Sequence, residues 1–343
     1  MKNLLMNKTM LQLLLAGGIT GAAVWPAQAV VQTSSEVWVG SSTTIRGNGG
    51  GAPKVSLFSQ RMIRPLETAG NVSLVQNAML TDTNSTWLDG QFGTNGAPAY
   101  VEFDNGWMAD IVDCSATNHC LSLAGSTGNS VSAGNAYRIH QHFTMSMMFG
   151  PNNEAGLKSG LNPSDADNIL LEIPETQQIV TVFYYDDGTY KGWLNASYVP
   201  ANNQIIYPEQ GVMVLHRPVQ DLPLYLVGPV KTGATVVTID SGYNLVGTLK
   251  SASPMAISAL NLYTGDATTG LASGLNPSAS DNLLVVQPDG STATYFYYQD
   301  PTYEGWLDAA YNVAANVQIS PGTAFFVHRK TANASFNWTI PAE

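Results

Sequence analysis

The sequence predicts a mainly β protein: two tandem antiparallel β repeats with a few short helices, and a small β-barrel-like domain inserted in the first repeat. Three observations predict it. The chain carries an internal duplication. The duplicated segments are dense in β-branched and aromatic residues, with Gly and Pro punctuating them. One stretch inside the first copy has no counterpart in the second.

The first element is an export signal. Met1 to Met10 holds Lys2 and Lys8 and no acid, Leu11 to Trp25 is mostly apolar, and Ala27-Gln28-Ala29 is the small-x-small pattern of a cleavage site. The apolar run is shorter than the ~20 residues of a membrane span, and Gly17, Gly18 and Gly21 interrupt it. Residues 1–29 therefore read as a cleaved signal peptide rather than an anchor. The expected address is secreted or cell-envelope associated: periplasm, outer surface or extracellular.

The duplication defines the rest. Residues 156–217 begin GLKSGLNPSDADNILLEI and residues 270–329 begin GLASGLNPSASDNLLVVQ. The offset is 114 at Asn168/Asn282, 113 at Phe183/Phe296 and Trp193/Trp306, and 112 when His216 is matched to His328 and Arg217 to Arg329. Upstream, Val55 to Pro65 (VSLFSQRMIRP) matches Asn244 to Pro254 (NLVGTLKSASP), and HFTMSMMFG from His142 matches MAISALNLYTG from Met255. Residues 66–141 have no partner, which marks an insertion at a loop. The domains are then 30–220, interrupted by 66–141, and 221–343. Thr292 to Gln299 and Val317 to Arg329 read as strands. Asp187-Gly188 and Asp300-Pro301 form matching turns, and Asp308 to Asn316 and Met255 to Tyr263 could each make two helical turns.

Composition excludes several partners. The apolar fraction is 44%, enough for a core, and only 11% of residues are charged, against roughly 25% in an average soluble domain. The formal net charge is −11 before Lys2 and Lys8 leave with the signal. That balance argues against nucleic acid and against anionic lipid as partners.

The ordered elements resemble an uncharacterised paralogous family of secreted, signal-bearing repeat proteins best known from Verrucomicrobia. The resemblance rests on the alanine-ended signal, VSLFSQRMIRP, an insertion holding Trp87 and Ala99-Tyr100-Val101, and two copies of Asp-Asn, Tyr-Tyr, Gly-Trp and apolar-His-Arg. It implies export and the repeat fold and assigns no activity. One departure is that Pro208-Glu209-Gln210-Gly211 stands where the second copy has Pro321-Gly322.

Candidate chemistry is sparse. Cys114 and Cys120 flank a short turn, and in an oxidising compartment they are expected to pair as a structural staple contributing about 2 kcal/mol. His140 and His142 lie two apart on one strand face, a weak metal pair. Asp165 and Asp167 resemble part of a calcium loop, but Asp165 becomes Ala279 in the second copy, so no cofactor is expected, with calcium the sole candidate. Asp186 becomes Gln299 and Lys191 becomes Glu304, a pattern of solvated turns rather than of an acid pair. No hydrolase, zincin, phosphate-loop or dinucleotide motif occurs.

The aromatic set remains. Tyr184, Tyr185, Tyr190, Trp193 and Tyr198 recur as Tyr297, Tyr298, Tyr303, Trp306 and Tyr311. Most are packing residues, but Tyr190, Tyr303, Trp193 and Trp306 are candidates for a glycan platform, with the two tyrosines, beside turns, the most exposed. The reading is a secreted non-enzymatic binding or structural module whose partner is a glycan or another cell-surface protein. The alternative is a secreted polysaccharide hydrolase with its cleft between the repeats. Mass spectrometry of the exported chain is expected to find Val30 as its first residue. An uncut N-terminus would turn the signal into an anchor.

Overall fold

The computed structural model describes residues 38–125, 130–173, 176–247, 253–287, 289–330 and 333–341. The expected signal and its cleavage site lie outside them. The protein is mainly β, with several antiparallel sheets and very little helix.

Each copy builds the same five-stranded sheet. In the first the order is Lys191–Asn195, Gln178–Asp186, Asn168–Ile173, Gly211–His216, Lys54–Ser59. In the second it is Glu304–Asp308, Thr292–Gln299, Asn282–Val286, Ala324–Arg329, Gly242–Gly247. Alternation decides the faces: Val182, Tyr184 and Trp193 point into the first core, while Phe183 and Leu194 form a small cluster on the other side. A two-stranded ribbon covers each core. Trp38–Ile45 pairs with Leu222–Pro229 over the first, and Thr235–Ile239 pairs with Phe336–Ile340 over the second. The first copy thus draws on chain past residue 220, where the repeat match had placed its boundary.

The two helical expectations differ from what forms. Met255–Ala256 is a short strand followed by a single 3-10 turn, Ile257–Leu260, and its counterpart in the first copy is the five-residue helix Met145–Phe149. The segment after Asp308 makes no helix, because the Asp308 carboxylate accepts hydrogen bonds from Ala310 N and Asn312 N and closes a turn instead.

Strand register corrects the repeat alignment. Asn168 pairs with Leu215 and Asn282 pairs with His328, so Leu215 and His328 are equivalent. His216 therefore corresponds to Arg329, and Arg217 to Lys330. The match of His with His and Arg with Arg was one residue out of step. Burial explains it: a strand facing a core must keep its in-out phase, and His216 and Arg329 are both buried while Leu215 and His328 are both half-exposed. The upstream match shifts with it, Lys54 aligning with Gly242.

The copies meet about a pseudo-twofold axis. Ser59 N donates to Gly322 O at 2.9 Å, and the equivalent Gly247 N donates to Glu209 O at 2.9 Å. Residues on the axis face their own counterparts. A Cβ on Gly211 would lie 2.6 Å from the Cβ of its counterpart Ala324, and a Cβ on Gly247 would collide with that of its counterpart Ser59. There is room for one side chain of each pair, and the two copies differ there accordingly.

Leu66–Gln141 forms a separate seven-stranded antiparallel sheet, ordered Leu66–Asn71, Ala136–Gln141, Ala99–Phe103, Met108–Ser115, Cys120–Leu123, Met79–Thr81, Leu74–Gln76. Its two edge strands adjoin in sequence through Val72-Ser73, but among the described residues no ladder closes between them, so the expected barrel-like domain is an open sheet and not a closed barrel. It has its own core around Trp87, Phe92, Phe103 and Tyr137. It docks through a buried Lys231–Glu102 ion pair and through Val236 N, which donates to Gly106 O at 2.9 Å.

The Cys114–Cys120 staple does not form, and both thiols are free and buried. The hairpin pairs Ser115 with Cys120 and Cys114 with Leu121. Alternation then sends the two thiols to opposite faces of the sheet. Cys114 Sγ instead donates to Leu88 O and accepts from Phe92 N, each at 3.2 Å.

The axis contact yields a test. Gly211→Ala is expected to cost about 1–3 kcal/mol by overpacking against Ala324 and Leu245. Adding Ala324→Gly should recover part of it, since the two methyls compete for one space. Urea titration of the two single variants and the double would show this coupling, and simple additivity would count against a shared site.

Candidate functional site

The site begins with a turn. In the first copy the Asp187 carboxylate accepts from Thr189 N at 2.8 Å and Tyr190 N at 2.7 Å. In the second, Asp300 accepts from Thr302 N at 2.7 Å and Tyr303 N at 2.8 Å. Gly188 and Pro301 thus sit in the same turn, fixed by the aspartate before them. The bond from Tyr190 N does most to hold the Asp187 carboxyl below the usual carboxylate range, and the Tyr298 hydroxyl, 2.6 Å away, does the same for Asp300. Asp186 pairs with Lys191 at 2.9 Å, where the second copy has Gln299 beside Glu304. These acids shape turns.

Each turn presents a tyrosine beside two others. Ring centroids are 6.0 Å apart for Tyr185–Tyr190 and 6.2 Å for Tyr185–Tyr198. The second copy gives 6.0 Å for Tyr298–Tyr303 and 6.3 Å for Tyr298–Tyr311. Tyr190 and Tyr303 lie over Gly192 and Gly305, where a Cβ would approach the phenol oxygen to 3.1 and 3.0 Å. That explains the recurring glycine before each tryptophan. Tyr198 and Tyr311 donate to Leu161 O and Leu275 O, each at 3.3 Å.

These patches are open. Tyr190 and Tyr303 are 46% and 43% exposed, and Tyr198, Tyr311, Leu161 and Leu275 are exposed as well. Tyr198 and Tyr311 have φ of 61° and 65°, a left-handed backbone that a bulky residue adopts rarely and at a cost of about 1–3 kcal/mol. Both copies carry the same strain at the same ring. The signal for the leucines was present in sequence, since Ser-Gly-Leu-Asn-Pro-Ser recurs letter for letter at 159–164 and 273–278. An exposed leucine retained in both copies has no packing reason.

The tryptophans are not part of the platform. Trp193 and Trp306 are 1% and 4% exposed and pack edge-on against Tyr184 and Tyr297. Their place in the strand points them inward, opposite to the face on which the turn tyrosines lie. Trp193 Nε1 donates to Gly150 O at 2.8 Å.

The weak metal candidates serve other ends. Asp167 is buried and accepts from Lys158 N (2.8 Å), His216 Nδ1 (2.7 Å) and Arg217 N (2.7 Å), which ties a loop to the end of a strand. Asp281 does the same with Ala272 N, Arg329 and Lys330 N. Asp165 stays exposed and accepts from Asn162 Nδ2, whereas Asp167 is buried. His140 and His142 are both buried on one face of the insertion beside Tyr100, His140 stacked on its ring at 5.7 Å and His142 tilted against it at 4.9 Å. His140 bonds to Arg64 O, and His142 Nε2 bonds to Asp110 at 3.0 Å. Among the described residues no group of three or more His, Cys, Asp or Glu side chains is arranged to hold a metal.

Comparison with family models, curated proteins and solved structures finds no match to this chain. No helix among the described residues is long and apolar enough to cross a membrane.

Core and surface separate in one experiment. Trp193→Ala and Trp306→Ala are each expected to cost about 3–5 kcal/mol. Tyr190→Ala and Tyr303→Ala should stay within about 0.5 kcal/mol. Urea titration of the four variants measures both, and large losses at the tyrosines would make them packing residues.

Proposed function

We propose that this chain is a secreted, non-enzymatic binding module of the cell surface or extracellular matrix, and that it holds neutral glycan on its paired tyrosine patches. One observation carries the reading: two exposed three-tyrosine patches with equivalent geometry, each resting on a strained tyrosine and a retained surface leucine. Rings exposed in this way can stack on sugar faces, and two equal sites on one body suit a repeating polymer, where the second contact gains from proximity. The low charge of the chain suits an uncharged partner. The leader-like N-terminus and the resemblance to a secreted family support the address.

The alternative, a polysaccharide hydrolase, needs two carboxyls facing one another across the cleft between the copies. The groove there, about 830 Å³, is lined by hydroxyls and amides such as Ser42, Thr44, Ser56 and Gln287, with Asp289 its one carboxyl among the described residues. The Asp289 carboxylate is already engaged by Ser291. For that groove this favours binding over hydrolysis, and the carboxyls of Glu172, Glu209 and Asp240 line a separate chamber of about 180 Å³, below the size of small-ligand pockets.

A glycan array with the mature protein, run beside reducing-sugar release from the same glycans, tests the proposal. Binding without release is expected. Tyr190→Ala or Tyr303→Ala should weaken retention on a polymer surface by about tenfold or more, and the double variant should lose it, since avidity needs both patches. Undiminished binding by the double variant would refute the patches as the site. Sugar release by the native chain would favour the hydrolase.

A further inference from the structure

Two positions where the copies differ in charge converge on one place. Glu172 corresponds to Val286, and Glu209 corresponds to Gly322. Both glutamates line a cavity of about 180 Å³ where the insertion meets the two copies, facing Trp107 and Met108 from the insertion and Asp240 from the second copy. Met108 and Glu209 also border a second chamber of about 160 Å³, lined by Tyr100, Asp110, His142 and Tyr207. Together the chambers reach the lower end of the volume of small-ligand pockets. The junction exists once per chain, because only the first copy carries the insertion.

Its chemistry has one sign. Glu172, Glu209, Asp240 and Asp110 line the two chambers, and among the described residues no Lys or Arg does. Among the described residues Glu209 and Asp240 form no ion pair. Burial pushes the Glu209 carboxyl up to about 7, and it raises Glu172 as well. A second observation points to an occupant. The Tyr100 hydroxyl is buried in the second chamber, its residue only 2% exposed, with no hydrogen-bond partner among the described residues. His142 Nδ1 beside it is likewise without one. A buried polar atom left unmatched is uncommon and calls for a cause.

We infer that this junction is a binding site for a small organic cation, an amine held between the Glu209 and Asp240 carboxylates, with the Trp107 ring beside it and the Tyr100 oxygen as a further acceptor. An ammonium supplies what the walls lack: positive charge for the carboxylates, N–H donors for the phenol oxygen and the imidazole nitrogen, and a partner for an aromatic face. A neutral polyol would bring these carboxyls no positive charge. The site is separate from the tyrosine patches, so each can fail alone.

Titration calorimetry of the full mature chain with putrescine, and with butanediol as the uncharged control, tests this. Saturable binding of putrescine is expected, with none of butanediol at the same concentration. Glu209→Gln and Asp240→Asn should each weaken putrescine by about tenfold or more, as loss of one of two charge contacts implies. Tyr100→Phe is the decisive variant. It removes a hydroxyl that bonds to nothing among the described residues, so stability should hold while putrescine affinity falls severalfold. Glycan binding should be unchanged in all three. The inference is overturned if putrescine gives no saturable signal by about 10 mM, weaker than any useful affinity. It is overturned equally if butanediol binds as well, or if the three variants bind putrescine like the native chain.

Discussion

The arrangement depends on a contact that leaves space for one methyl. On the pseudo-twofold axis, Gly211 faces its own counterpart Ala324 and Gly247 faces its own counterpart Ser59. Backbones this close let the reciprocal hydrogen bonds from Ser59 N and Gly247 N form, and these join the two sheets into one body. Interiors are packed too tightly to absorb a second Cβ at such a point. Two identical copies could not satisfy it without glycine at every axial position. The duplicated halves had to differ where they touch themselves.

That asymmetry at the axis coexists with symmetry far from it. The hairpins that carry Tyr190 and Tyr303 keep the same turn aspartate, the same glycine under the ring, the same tyrosine in a left-handed backbone and the same exposed leucine. Packing explains the buried members, Trp193 and Trp306. It accounts in part for Tyr198 and Tyr311, each edge-on to a buried phenylalanine, and leaves the exposed leucines as the members it does not explain. The buried aspartates show the contrast. Asp167 and Asp281 keep their backbone donors in both copies, but one is met by His216 and the other by Arg329. A structural carboxylate needs its donors and is indifferent to which side chain supplies one.

The insertion breaks the symmetry of the whole. It folds on its own core and leans on both copies, so the one three-way junction gathers residues that repeat nowhere else. Glu172 and Glu209 looked unremarkable in the chain because nothing nearby in sequence marked them. They belong together only because strands from three bodies end at the same place.

Much of this was legible in the sequence. The duplicated blocks, the β-rich composition and the unmatched stretch 66–141 determined two sheets of like order and a separate insertion, because in-out alternation and turn residues act over a few neighbours. The recurrence of Tyr190 and Tyr303 beside turns marked them as exposed for the same local reason. What sequence could not determine was phase and face. Matching His216 with His328 maximised identity of letters, yet a strand against a core obeys burial, and burial pairs His216 with Arg329. Cys114 and Cys120 were close along the chain, yet a register with Ser115 opposite Cys120 put their thiols on opposite faces. Trp193 and Trp306 went inside for the same cause. Register, curvature and the meeting of distant strands are set by contacts between segments far apart in the chain, and only the tertiary structure holds those contacts.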